Sequence, residues 1–164
     1  MLELSGQCDV TLLNKVGIGG LSEVHKGFDN QRDKVVAVKV INDLGDGLSK
    51  ALWKKEVEGL SKLEHPNVVK ILDACVKENG ENSQYWIVLE WLEETLSERY
   101  GRGTYKFESN SWLAYAMGLI GGLSHAHQHN VAHRDIKPDN LLFRKKDDED
   151  RRVVIADFGI SKNT

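Results

Sequence analysis

No apolar run in this 164-residue chain approaches the length of about 20 residues that a membrane-spanning helix needs. The N-terminus, MLELSGQCDV, has neither a basic stretch nor a long apolar one, so no signal peptide is read there. The opening Met1 reads as a natural start. Cysteine is nearly absent: Cys8 and Cys75 are the whole supply, far apart. A disulfide framework or a zinc site is therefore not expected; two buried or incidental thiols in a reducing, cytoplasmic compartment are. An excess of one charge is lacking too. With 22 Lys and Arg against 25 Asp and Glu, the net charge is −3, and no electrostatic footprint of a nucleic-acid partner is present. The densest charged stretch, FRKKDDEDRR, alternates in sign and reads as a solvated loop. What is there is ordinary: 40% hydrophobic and 29% charged residues, the proportions of a soluble globular protein, and length enough for one modest domain with a core.

The first third reads as strands. VTLLNKVGIGGLSEVHKGFD alternates apolar and polar residues around a glycine cluster, and KVVAVKVI is a β-branched run; together they predict an antiparallel hairpin and a third strand. LGDGLSK leads into a helix from about Lys50 to Leu63, with Ser49 as its N-cap. At about 100° per residue, Leu52, Trp53, Val57, Leu60 and Leu63 share one arc. Glu56 lies inside that arc and Glu58 opposite it. Glu56 is therefore expected to face the protein, where a carboxylate requires a cationic partner, and Glu58 to face water. NVVKILDACV and QYWIVLEWL predict two more strands around the polar turn KENGENS. A second long helix is expected from Ser111 to Gln128, with Trp112, Ala116, Leu119, Ile120 and Leu123 as its apolar stripe. VAHRDIKPDNLLF is a loop running into a short strand, RVVIADFG another strand, and residues 93–107 a transition.

Four constellations carry chemistry. In VGIGGLSEV, glycines at 17, 19 and 20 between two strand patterns let backbone N–H groups approach a polyphosphate, although a plain structural turn has the same composition. No Gly-Lys-Ser/Thr follows, which excludes a Walker A loop, and no helix opens there as a dinucleotide fingerprint requires. Lys39 in VAVKV is either an edge-strand gatekeeper or a buried functional cation; the inward Glu56 favours the second. HRDIKPDN places His133, Arg134, Asp135, Lys137, Asp139 and Asn140 in one stretch too polar for a core. In ADFG, Asp157 ends an apolar strand before a large apolar residue and a glycine.

In this order the four resemble the eukaryotic-type Ser/Thr protein kinase family, through GIGGLSEV, VAVK, HRDIKPDN and DFG, joined by HPNVVKIL and IVLEWLEE. The resemblance runs from about Val10 to Lys162. It implies an α+β, bilobal fold: residues 1–92 as a complete β-rich small lobe and hinge, residues 93–164 as the first part of a helical large lobe. It implies Mg²⁺ and ATP as cofactors and protein Ser/Thr hydroxyls as acceptors. By the resemblance, Gly17, Ile18, Gly19 and Gly20 cover the phosphates, Lys39 binds them and pairs with Glu56, and Asp135 accepts the hydroxyl proton. Lys137 steadies the transferring phosphoryl group, and Asn140 and Asp157 ligate Mg²⁺. Val24, Ala37 and Leu142 sandwich the adenine, whose edge bonds backbone groups from Glu90 to Leu92. Leu60, Ile71, His133 and Phe158 form a stacked apolar column.

There are departures. Ser22 stands where the family has its third glycine, and only five residues follow the DFG stretch, where the family continues with an activation loop and further helices. The chain is accordingly expected to bind ATP with weak or no protein phosphorylation alone, and to be unstable, dimeric or completed by another chain over its second helix. A catalytically inactive ATP-binding or interaction module is the alternative reading. A small-molecule kinase is disfavoured by Lys137-Pro138. The histidines at 125, 127 and 129 are not expected to converge on a metal, because His127 falls near the apolar stripe and the other two on the outer face.

Overall fold

Strand β1 (Val10–Ile18) turns back at the glycine cluster into β2 (Ser22–Asp29), and β3 (Lys34–Asn42) follows after a tight turn. The structure, a computed structural model, describes residues 7–19, 22–45, 47–79, 82–101, 109–145 and 152–158. They segregate into two units: residues 1–62 with 70–91, and residues 63–69 with 92–164.

The first unit is a five-stranded antiparallel sheet in the order β1-β2-β3-β5-β4, with β4 (Ile71–Asn79) and β5 (Asn82–Glu90), and one helix, α1 (Leu48–Leu60). The Asp29 carboxylate holds the β2–β3 turn. It accepts the N–H groups of Gln31 and Arg32 at 3.1 and 3.0 Å and the Arg32 guanidinium at 2.8 Å. β3 is central, and its β-branched residues alternate across the sheet. Val36, Val38 and Val40 join Leu72, Trp86 and Val88 in a buried cluster on one face. Lys39 is thereby turned to the other face.

α1 starts differently from the expectation. Its N-cap is Gly47, in the left-handed region at φ 73°, with no side-chain cap. Ser49 lies inside the first turn, buried, and its hydroxyl accepts the Leu44 N–H at 3.3 Å. Glycine reaches that backbone conformation without Cβ strain, so the loop enters the helix two residues early. The helix stops at Leu60, where the Ser61 hydroxyl donates back to the Val57 carbonyl at 2.6 Å.

The cysteines also correct the sequence reading. Cys8 and Cys75 form a disulfide, with Cα atoms 5.9 Å apart. Cys8 joins the buried cluster of Val36, Val38 and Val40, and the Lys77 ammonium fixes the Cys8 carbonyl at 2.7 Å. A separation of 67 residues conceals that proximity in the sequence.

In the second unit, β6 (Glu94–Thr95), β7 (Leu141–Phe143) and β8 (Val154–Ile155) form a small antiparallel sheet. Residues 67–69, expected to begin the fourth strand, pair with this sheet instead. Val68 bridges Ile155 in parallel, Val69 N–H donates to Ile155 O at 2.9 Å, and Ile155 N–H to Asn67 O at 2.9 Å. The short helix α2 (Leu96–Gly101) occupies part of the expected transition; its Arg99, 1% exposed, binds Glu94 and the Lys145 carbonyl and lies over the Phe143 ring at 3.5 Å. The long helix α3 (Ser109–Gln128) packs through Ser111, Tyr115, Gly122 and Ala126, which are buried, as is β8. Of the expected stripe, Leu119 and Leu123 are half-buried while Trp112, Ala116 and Ile120 are exposed. No helix among the described residues is long and apolar enough to cross a membrane.

Candidate active site

In the first unit the β1–β2 hairpin closes with Gly19 N–H donating to Ser22 O at 2.7 Å. Gly17 pairs with Val24, Ile18 is 76% exposed, and Gly20 lies outside the described residues. A Cβ on Gly19 would come within 3.2 Å of the Ser22 hydroxyl. The serine in the place of a third glycine thus crowds the turn.

Lys39 and Glu56 meet as helix phase and strand alternation require. The Lys39 ammonium donates to Glu56 Oε1 at 2.7 Å, and both residues are buried, at 9% and 2% exposure. β3 lies between β2 and β5, so the edge-gatekeeper reading of Lys39 is excluded. Glu58, opposite, is exposed and only 3.9 Å from Lys54. Val24 and Ala37 are half-buried on β2 and β3. Glu90 ends β5; its carboxylate accepts Lys70 N–H at 2.9 Å, and its own N–H donates to Lys70 O at 3.0 Å.

In the second unit the HRDIKPDN loop is knotted by hydrogen bonds. Asp135 N–H donates to His133 Nδ1 at 3.2 Å. That leaves Nε2 as the protonated nitrogen, which donates to the Ala156 carbonyl at 2.9 Å. His133 is thus neutral and ties the loop to the strand end before Asp157, while its ring packs on Phe158 at 4.7 Å between centroids. The Asn140 amide donates to the Asp135 carbonyl at 2.8 Å and to Asp135 Oδ2 at 3.3 Å; Asn140 O in turn accepts Ala156 N–H at 2.9 Å. Lys137 Nζ sits 3.0 Å from Asp135 Oδ2, and that hydrogen bond, then the charge of the same carboxylate, raises the lysine above its ordinary range. Arg134 and Asp157 adopt left-handed backbone, at φ 66° and 53°. Such conformations cost on the order of 1–3 kcal/mol and concentrate at functional sites. Asp157 is exposed, Leu142 half-buried on β7, and Leu92 buried.

The arrangement brings Asp135, Lys137 and Asn140 together, with Asp157 one residue beyond a backbone bond to Asn140. No group of three or more His, Cys, Asp and Glu residues able to hold a metal occurs among the described residues. The donor set nonetheless suits a hard cation. With its NH₂ directed at Asp135, Asn140 keeps its side-chain oxygen for coordination, and a carboxylate and an amide oxygen match Mg²⁺, which takes few protein ligands and completes its shell with phosphate and water.

Some supporting residues were passed over in the sequence. Asn67 donates its amide to Val153 O at 2.7 Å, locking the HPN turn to β8; the HPN stretch was the available signal. Arg99 had none. Ser97 donates to Asp139 at 2.9 Å, tethering α2 to the loop. Two histidines of α3 gather with His65, and their placement corrects the expectation: His125, expected on the outer face, is half-buried, and His127, expected near the apolar stripe, is exposed. His65 stacks on His125 at 5.2 Å, and His129 lies 4.5 Å from His125.

A family model described as protein kinase domain matches residues 10–164. A probable serine/threonine-protein kinase of Dictyostelium discoideum is 31% identical over 157 residues, covering 95% of this chain and 9% of that protein. Serine/threonine-protein kinase PrkC of Bacillus subtilis is 30% identical over 152 residues, covering 92% and 22%. Serine/threonine-protein kinase PknF of Mycobacterium tuberculosis is 31% identical over 159 residues, covering 92% and 32%. The chain thus spans between 9% and 32% of the length of these relatives.

Proposed function

Because the chain belongs to the protein kinase domain family, we propose that it carries the ATP-handling residues of a Ser/Thr protein kinase, which moves the γ-phosphoryl group of ATP to a protein hydroxyl. The observation that carries this reading is the Asp135–Lys137–Asn140 knot, with the raised Lys137 held 3.0 Å from the Asp135 carboxylate. Asp135 accepts the proton of the attacking hydroxyl. Lys137, kept cationic by Asp135, offsets charge on the transferring group. Lys39, with its charge balanced and its position set by Glu56, holds phosphate oxygens, and Gly17, Ile18, Gly19 and Gly20 cover them. In the first unit, Val24 and Ala37 contact the adenine. Asn140 and Asp157 would hold Mg²⁺, which would neutralise phosphate charge. Phosphoryl transfer asks for positioned charge more than covalent help, and this set supplies it.

The substrate is a protein with Ser or Thr, and the location cytoplasmic. A homodimer or a completing chain covers α3. Support for that comes from Leu113, Met117 and Ile120, spaced along one side of the helix and 64%, 65% and 67% exposed. The same stripe favours the second reading, an ATP-binding interaction module without turnover. Titration with Mg·ATP and a phosphotransfer assay on a mixed protein substrate decide between them. Asp135→Asn is expected to keep nucleotide affinity within about twofold and to lower any transfer by at least 10²-fold. Turnover unaffected by that change would overturn the assignment of Asp135.

A further inference from the structure

We propose that Cys8 and Cys75 are a reversible redox clasp that sets how firmly β1, and the glycine hairpin at its end, is held to the five-stranded sheet. Strands β1 and β4 are the two opposite edges of that sheet. The disulfide joins the segment entering β1 to β4 and so ties edge to edge across three intervening strands. β1 needs such a tie. Among the described residues it has β2 as its only strand neighbour, and its ladder is interrupted by register shifts between Leu12 and Asn14 and between Lys15 and Gly17.

Both cysteines are 3% exposed, in the cluster of Val36, Val38, Val40, Leu72, Trp86 and Val88. A buried pair of thiols is tolerated there, because free cysteine behaves as a small hydrophobe. Reduction therefore leaves the sheet folded. What it removes is the covalent closure of a 67-residue separation, leaving the entry segment to non-covalent ties that include Lys77 Nζ to Cys8 O at 2.7 Å, Asn30 N–H to Asp9 O at 2.9 Å and Asn30 Nδ2 to Asp9 Oδ1 at 2.9 Å. The Cα separation of 5.9 Å accommodates the bond without backbone movement. In a reducing compartment a disulfide of this kind is transient and sensing rather than structural.

The chemistry is thiol–disulfide exchange. A thiolate of a small dithiol attacks one sulfur, forming a mixed disulfide and releasing one cysteine thiolate, which takes up a proton. The second thiol of the reductant then displaces the other cysteine, giving two protein thiols and a cyclic disulfide. A glutathione-type disulfide reverses the reaction, ending as two equivalents of free thiol. The proposal does not depend on the kinase reading, since none of its measurements involves nucleotide.

The test uses the full chain, incubated with oxidised glutathione or with dithiothreitol. Alkylation under denaturing conditions is expected to label no cysteine in the first sample and both in the second. Reduction is expected to lower the melting temperature by about 10 °C, given the long closed loop. Amide exchange over residues 10–18 is expected to speed up at least tenfold, with β3 and β5 little changed. Cys8→Ser and Cys75→Ser should behave as the reduced protein in either buffer. Two alkylatable thiols after oxidation, or identical melting and identical β1 exchange in both states, would overturn the clasp; both readings are made on the unmutated chain.

Discussion

Lys39 and Glu56 show how much a single pair decides. Each is buried, and each is compensated by the other at 2.7 Å. Removing one partner strands a charge, which costs about 3–5 kcal/mol. Glu56→Ala is therefore expected to lose stability of that order in urea unfolding, with Glu56→Gln less damaging because the amide oxygen still accepts from Lys39. The histidine stack makes a second residue-scale prediction. Burial first, then the charges of His129 and His65, lower the proton affinity of His125. Its Nε2 is buried with no hydrogen-bond partner. The unfolded chain binds this proton more readily than the folded one. Its contribution to stability is therefore complete above the ordinary histidine range, near pH 6.5, and is lost as pH falls below it. Chemical unfolding from pH 8 to pH 5 should show that decline, and His125→Asn should flatten it; an equal slope in both proteins would refute the role of the stack.

At the scale of elements, α3 shows what periodicity can and cannot tell. Its extent was legible, since the apolar repeat placed the helix from Ser111 to Gln128 and it runs from Ser109. Its packing face was not. The side that approaches β8 and the HPN turn is made of small residues, which an apolar count passes over. A Cβ on Gly122 would meet Ile155 Cδ1 at 2.7 Å and the Asn67 carbonyl at 3.0 Å, whereas one on Gly121 meets nothing nearer than the His65 ring at 3.4 Å. Alanine gains about 1 kcal/mol of helix propensity over glycine. Overpacking costs about 1–3 kcal/mol, so the sign is set by the neighbours. Gly121→Ala should be neutral or stabilising and Gly122→Ala destabilising by about 1–2 kcal/mol, as thermal melts would show. Helix phase located Glu56 because it depends on a local period, and Glu56 in turn favoured Lys39 as a buried cation. Short elements such as β6 and α2 carry too few residues for a period, and the Gly47 cap was hidden by a serine of better capping chemistry two residues on.

At the scale of the molecule, the residues of the Asp135 loop were legible as a string of polar types. Their hydrogen-bond order was not, since it depends on His133 reaching Ala156, 23 residues away. The disulfide escaped for the same reason over a longer span. The exposed side of α3 gives the prediction proper to this scale. Replacing Leu113, Met117 and Ile120 by glutamine should abolish the proposed self-association and reduce binding of a hydrophobic dye, measurable by light scattering and fluorescence respectively. Association unchanged by the triple substitution would remove that side as a docking surface.

Residues 63–69 leave the first unit after α1, complete the second through Val68, Val69 and Asn67, and return as β4. Neither unit is a contiguous stretch of sequence. A fragment beginning at Leu92 would keep Leu141 opposite Ile155 but lack its parallel partner Val68 and the amide that holds the Val153 carbonyl. One ending at Trp91 would carry an orphaned turn through its middle. The two parts therefore cannot be traded or expressed as cassettes by a single cut, and recombination that respects them requires two crossovers bracketing that short detour.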